Sequence, residues 1–241
     1  MTLAPFPNSA CLLAIETATE CCSAALLIDG RVIERSEIAP RRHAELILPM
    51  VDALLAEAGI GKRRIDGIAV GRGPGAFTGV RLAISVAQGL ALGLDRPVVP
   101  VSSLAALAFE APESDGPDAA ILAVIDARMG EVYAAAFTRS EAGLVSPLNE
   151  ETVGPASLVA VPSGRRWIAV GSGWAAYADA LSSRLGVRPD FVDGARQPQA
   201  RAIVQLAAPQ FASGLGLAPE RALPVYLRDK VALTLDEQRA R

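Results

Sequence analysis

The sequence predicts an α/β fold built from two related lobes. Three observations predict it. The 241 residues suit one large domain or two small lobes. A strand-rich opening followed by helix–strand alternation occurs twice, once from Cys11 and again from Ala119. Between the two, "PESDGPD" (112–118) sets two prolines, one glycine and three acids in seven residues, the clearest break in the chain. The lobes are therefore expected over residues 1–111 and 112–241, with the C-terminal tail free to pack back on the first.

Each element has a local reason. "CLLAIET" (11–17) and "CSAALLIDG" (22–30) are apolar runs around the polar turn "ATE", and "RVIERSEI" (31–38) alternates apolar and polar side chains. Asp29-Gly30 is a two-residue hairpin signal, so three successive antiparallel strands are expected. "HAELILPMVDALLAEAGI" spaces Ile47, Val51, Leu54 or Leu55, and Ala58 along one helical face; Gly59 would end it, and Pro49 would kink it or mark a second start. "IDGIAVG" reads as a short buried strand. "TGVRLAISVAQGLALG" reads as a helix capped by Thr78, "PVVPVSS" as a strand, and "SSLAALAFEA" as a short helix with a serine cap. In the second half "AAILAVIDA" and "GEVYAAAFTR" form a hairpin. "RWIAVGSG" is a strand entering the helix "WAAYADALSSRLG", "AIVQLAAPQFASG" is a further helix, and the tail from Leu223 ends extended and then polar.

Composition narrows the function classes. Apolar residues make up 51% of the chain and aromatics 5%, which implies a core of small aliphatic side chains. The net charge is −3 and no run of Lys or Arg stands out, so a long electrostatic track for nucleic acid is not visible. If RNA is involved, a partner is expected to hold most of the phosphates. Cys11, Cys21 and Cys22 read as buried thiols of a reducing cytosol, and with a single histidine, His43, a Cys/His metal site is poorly supplied. The first ten residues lack a signal-peptide pattern, and the apolar stretches are broken by polar residues short of a membrane span. A cytoplasmic protein without a membrane is expected.

The stretch most suggestive of chemistry is "GRGPGAFTGVRLAISVAQGLALG" (71–93). Gly71, Gly73 and Ala76 match a relaxed dinucleotide fingerprint, with Gly75 between them. The context fails, because Asp95 precedes the next strand instead of ending it and Pro74 removes one N–H. A Walker loop is excluded by the lack of Gly-Lys-Ser/Thr. Ala83, Ala87, Gly89, Ala91 and Gly93 make a small-residue helix that favours close packing, including against another subunit. Arg81 in its first turn is slightly disfavoured by the helix dipole and invites a compensating contact. Glu16, Thr17 and Thr19 form a turn where an actin-like ATPase would hold phosphate and metal, and a plain polar turn explains them more simply. Gly171 and Gly173 open a helix after a strand, a second nest that lacks a basic neighbour in sequence. Asp126, Arg128 and Glu131 surround a hairpin, where turn electrostatics suffice. His43 and Glu45 sit at a helix start with no second ligand in step, and no Ser-His-Asp or Cys-His set is available except through His43.

Four blocks then point to a family. "LAIETATECCSAAL", "GRGPGAFTGVRLAISVAQGLA", "DARMGEVYAAAF" and "PVYLRD" occur in that order, and together they resemble the bacterial TsaB (YeaZ) family of tRNA threonylcarbamoyladenosine modification. The likeness spans about Leu12 to Asp229 and is most specific from Gly73 to Gly79. It implies a two-lobed actin/hexokinase/Hsp70-like (ASKHA) fold, each lobe a mixed sheet flanked by helices. It also implies a non-catalytic subunit that pairs with and activates the catalytic TsaD, works alongside the ATPase TsaE, and lacks TsaD's metal-binding histidine pair. The family's pairing surface lies on the first two helices, here about 43–58 and 79–93. By that carry-over Leu46, Met50, Arg81, Ala83 and Ala87 are the expected interface positions. Glu16, Thr17, Gly73, Gly75, Gly171 and Gly173 become the loops of a degenerate nucleotide site, with no metal and no cofactor beyond weak or vestigial nucleotide binding. An active actin-fold ATPase or small-molecule phosphotransferase is the alternative, whereas one histidine cannot supply a metalloprotease. The residues leave open homodimerisation in isolation, direct contact with tRNA, and which helix faces point outward.

Overall fold

In the computed structural model, which describes residues 10–113 and 119–228, β1 (Leu12–Glu16), β2 (Cys21–Ile28) and β3 (Arg31–Ile38) form an antiparallel meander. Asp29 and Gly30 both take positive φ, as a two-residue hairpin turn requires. β1 and β2 are apolar apart from Glu16 and Ser23 because both faces of their sheet are covered. β4 (Gly67–Gly71) and β5 (Val98–Val101) extend the sheet in parallel, giving the order β3-β2-β1-β4-β5.

Helices α1 (His43–Glu57) and α2 (Phe77–Leu94) cover one face of this sheet. Ile47, Val51 and Leu54 of α1 and Ala83, Ile84, Ala87 and Ala91 of α2 meet Leu13, Ile15, Ala24 and Leu26. Gly59, at φ +66, ends α1, and the helix runs through Pro49 without a break. Thr78 is not the cap of α2, because the helix starts one residue earlier with Ala76 in the cap position and no side-chain bond. Ser102 does cap α3 (Ser103–Phe109), its hydroxyl accepting from Ala105 N at 3.0 Å.

The second lobe repeats the plan. β6 (Ala119–Arg128) and β7 (Glu131–Arg139) form a hairpin, β8 (Val145–Pro147) and β9 (Thr152–Pro155) pair with β7, and β10 (Arg166–Val170) and β11 (Phe191–Asp193) add in parallel. The order β8-β7-β6-β10-β11 reproduces β3-β2-β1-β4-β5. α4 (Ser172–Leu185), following β10 as α2 follows β4, covers one face with Trp174 and Leu181. The chain is thus a two-lobed fold of two mixed sheets flanked by helices.

The closing helices are exchanged. α3 ends the first half in sequence, yet Leu104, Leu107 and Ala108 pack on Ile121, Ala123 and Phe137 of the second sheet. α5 (Ala200–Ala212) follows the second sheet but lays Ile203, Val204 and Ala207 on Leu12, Ala14 and Ala69 of the first. Arg139 of β7 donates to the carbonyls of Ala108, Phe109 and Ala111 at 3.1, 3.1 and 2.8 Å, satisfying the C-terminal end of α3. The tail then returns to the first lobe. Leu217 bridges Val98, Ala222 is fully buried, and Val225 N donates to Arg72 O at 2.9 Å. The "PESDGPD" break falls mostly outside the described residues, as do the first nine residues and everything after Arg228.

Candidate functional site

The glycine loop connects β4 to α2, and its neighbour across the strand ends is the β1–β2 turn. The two pack into each other. Ala76 N donates to Ala18 O at 2.7 Å, Thr17 Oγ1 donates to Gly79 O at 2.7 Å, and Ser103 N donates to Gly73 O at 2.9 Å. A Cβ on Gly75 would lie 2.4 Å from Ala18 O, and one on Gly79 would lie 2.1 Å from Thr17 O. Glycine is required at both positions by backbone approach.

Glu16 lies beneath this contact and is fully buried. Its Oε1 accepts from Ala18 N at 2.6 Å and its Oε2 from Ser103 Oγ at 2.7 Å, while a Cβ on Gly71 would strike Oε2 at 2.1 Å. The carboxylate therefore pins the turn to α3 and faces no open space. Burial raises its pKa, and the bonds from Ser103 and from the Ala18 and Thr17 backbone lower it by less. A carboxyl that is harder to ionise when folded favours the folded state at low pH. That contribution fades as pH climbs from the ordinary carboxylate value toward the raised one. Glu16→Gln is expected to remove this slope, so the melting temperature of the parent should fall relative to that of the variant as pH rises from about 4. Parallel curves would show that Glu16 does not titrate with folding.

The second lobe contains the same device. Ile15 pairs with Val70 in the first sheet and Ala123 with Val170 in the second, so Gly71 and Gly171 are equivalent positions. Gly171, at φ +105, would place a Cβ 2.3 Å from Val124 O, and Gly173 would place one 2.3 Å from Val124 Cγ1. These glycines bring α4 down onto β6. Ser172 Oγ accepts from Asp126 N at 3.0 Å, and the Asp126 carboxylate accepts from Arg128 and from Tyr177 OH.

A cleft of about 590 Å³ separates these two sets of loops. Thr19, Glu20, His43, Ala76 and Phe77 line one side, Asp126, Arg128, Tyr133 and Ser172 the other, and tail residues Val225–Arg228 close the end. His43 Nε2 bonds Thr19 O at 2.9 Å. Of the residues assigned to a degenerate nucleotide site, the fold brings Glu16, Thr17, Gly73 and Gly75 together and sets Gly171 and Gly173 across the cleft. The groups that could have met a phosphate are largely spent inside the protein: the Thr17 hydroxyl, the Ala76 amide and the Glu16 carboxylate all have internal partners. Among the described residues no three His, Cys, Asp or Glu side chains gather to hold a metal. The three cysteines are buried and unpaired.

The helix faces correct part of the expected interface. Ala83 and Ala87 are completely buried against the first sheet, so they cannot meet another protein in this fold. Their smallness serves close approach of α2 to its own sheet. Leu46 and Met50 are partly buried at the edge of the same core, and Arg81 is exposed. The Arg81 guanidinium lies 3.7 Å from the Phe77 ring centroid and 5.3 Å from that of Tyr226, and the two rings are 5.6 Å apart. This cation–π stack offsets the unfavourable dipole at that position.

The outward side of α2 was not assigned from the sequence. Thr78, Ser85, Gly89, Leu92 and Gly93 are exposed, Leu92 by 76%, with Leu82, Val86 and Leu90 half-buried beside them. Arg81 is the only charged residue of the helix. Contrary to the sequence expectation, α2 is long and apolar enough to cross a membrane by length and composition, with mean hydropathy 1.4 over 18 residues. Its Val80, Ala83, Ile84, Ala87 and Ala91 face nonetheless lies in the lobe core. The positions 78, 82, 85, 89 and 92 were the available signal: a second stripe at helical spacing without charge.

Comparison with known proteins gives concordant results. Residues 34–234 match the protein-family model described as TsaD, tRNA N6-adenosine threonylcarbamoyltransferase. The tRNA threonylcarbamoyladenosine biosynthesis protein TsaB of Escherichia coli is 43% identical over 225 residues, covering 92% of this chain and 96% of that protein. Its namesake in Haemophilus influenzae is 37% identical over 231 residues, covering 91% and 94%. The solved structure of YeaZ from Pseudomonas aeruginosa superposes with a TM-score of 0.83 at 46% identity, covering 90% of this chain and all of that one.

Proposed function

The chain belongs to the TsaB (YeaZ) family of tRNA threonylcarbamoyladenosine biosynthesis proteins, and within that pathway we propose that it is a non-catalytic subunit that pairs with the transferase TsaD. The observation that carries the reading is the outward side of α2. A helix on the surface of a solitary protein normally turns charges to water. This one turns Thr78, Ser85, Gly89 and Leu92 outward, with Leu82 half-buried among them and a single arginine stacked on aromatics at one end. Small and apolar side chains free of charge suit a helix that lies against a helix of another chain. α1 flanks the strip and adds Leu48 at 47% exposure, with Leu46 and Met50 at its edge.

The non-catalytic part of the reading is supported by the loops. A phosphotransferase of this fold needs backbone donors and an ionised carboxylate facing the cleft, whereas here they bond one another. Work alongside the ATPase TsaE, contact with tRNA mainly through the complex, and a cytoplasmic location complete the proposal. An active ATPase or phosphotransferase is the alternative, and turnover of ATP by the isolated chain would favour it.

The test is co-elution with the cognate TsaD. The two are expected to leave a sizing column together, and threonylcarbamoyladenosine formation should require both. Full modification by TsaD and TsaE without this chain would overturn the proposal.

A further inference from the structure

Among the described residues, three ties cross the cleft. Arg72, one residue beyond β4, makes a bidentate pair with Glu151 of the second lobe at 3.1 and 3.2 Å. The side chains are 27% and 14% exposed, so water screens the pair less than it does a surface bridge. The tail crosses next: Tyr226 stacks on Phe77 of the first lobe, while Arg228 bonds Ala127 O at 3.0 Å and the Glu131 carboxylate of the second. Arg128 and Glu20 face each other across the mouth at 3.5 Å, an exposed pair of small effect. Arg72 is the common point. Its amide donates to Val101 O at 2.8 Å, its carbonyl accepts from Val225 N at 2.9 Å, and its guanidinium holds Glu151.

We propose that the Arg72–Glu151 pair is an inter-lobe latch, which with the tail holds the two lobes in one arrangement so that the chain works as a rigid body. Two-lobed folds that act on a ligand in the cleft open and close around it. This chain is tied shut by its own side chains, at an arginine inside the glycine loop. The inference concerns lobe motion alone and stands whether or not TsaD is the partner.

Spin labels on exposed sites test it. Ala53→Cys on α1 and Ala176→Cys on α4 report the separation of the lobes, and the three native thiols are buried. The otherwise unaltered chain is expected to give one narrow distance distribution, unchanged by magnesium and ATP. Arg72→Glu, which sets two carboxylates face to face, should raise the fraction of open molecules at least about tenfold. Combining it with Glu151→Arg should restore the narrow distribution. A shift in the parent on adding ATP, or an unbroadened Arg72→Glu, overturns the latch. Should Arg72→Glu fail to fold, Glu151→Gln takes its place: broadening supports the latch and an unchanged distribution overturns it.

Discussion

Ala87→Arg is expected to leave no folded chain, whereas Gly89→Arg, two residues further along the same helix, should fold normally and lose its partner. Ala87 is completely buried among aliphatic side chains of the first lobe. A guanidinium there would be a buried charge without a counterion, at a cost of several kcal/mol. Overpacking adds about 1–3 kcal/mol. Together these approach the roughly 5–15 kcal/mol that holds a domain folded. At Gly89 a Cβ meets nothing within 4 Å. Replacing glycine in an exposed helix interior removes a penalty of about 0.8–1 kcal/mol, so the variant should melt a few degrees higher than the parent. If the outward strip is the pairing surface, the long charged side chain should weaken association with TsaD by about a hundredfold or more, equivalent to roughly 3 kcal/mol. Thermal melting reads the first effect and sizing chromatography with TsaD the second. A folded Ala87→Arg would mean that α2 is turned the other way, and undiminished pairing by Gly89→Arg would remove the strip from the interface.

Gly79→Ala is the second large effect. Its added methyl would sit 2.1 Å from the carbonyl oxygen of Thr17, a backbone atom that cannot rotate away. The first turn of α2 would have to lift off the β1–β2 turn, disturbing the Thr17 Oγ1 bond to Gly79 O and the Ala76 bond to Ala18 O together. Overpacking of this kind costs about 1–3 kcal/mol, and the melting temperature should fall by roughly 3–10 °C. Gly93→Ala is the control. Gly93 lies on the same helix with open space around it, and that substitution should raise stability by up to about 1 kcal/mol. Calorimetry on both variants would decide whether the glycines of this motif serve packing, since a tolerated Gly79→Ala would mean that the loop and turn do not interlock.

The repeat of strands and helices was legible because each of the longer elements carries its own local signal. Asp29-Gly30 dictates a hairpin, Ser102 a cap, and Gly59 a helix end, and none of these depends on distant residues. The apolar runs of β1, β2 and β6 were equally plain, since strands covered on both faces hold few polar residues. The candidate site was read less well. Glu16 and Thr17 drew attention as polar residues at a strand end, but their partners are Ser103 and Gly79, 87 and 62 residues away. Arg72 carries no signal of its own inside a glycine motif, because Glu151, which gives it a role, lies 79 residues further on.

By itself the sequence determined the longer elements, their order, the duplication and the family likeness, all of which rest on local propensity and on blocks of adjacent residues; the short strands β8, β9 and β11 carry no such signal. Tertiary structure alone decided which side of α2 faces the core, that α3 and α5 exchange sheets, and that the glycine loop is filled by the β1–β2 turn. The physical reason is the same in each case. Helical periodicity says which residues share a face, and on α2 neither face carries a run of charges that would mark it as the outer one. Only packing against a sheet made from five other segments can choose between Ala83 with Ala87 and Ser85 with Gly89.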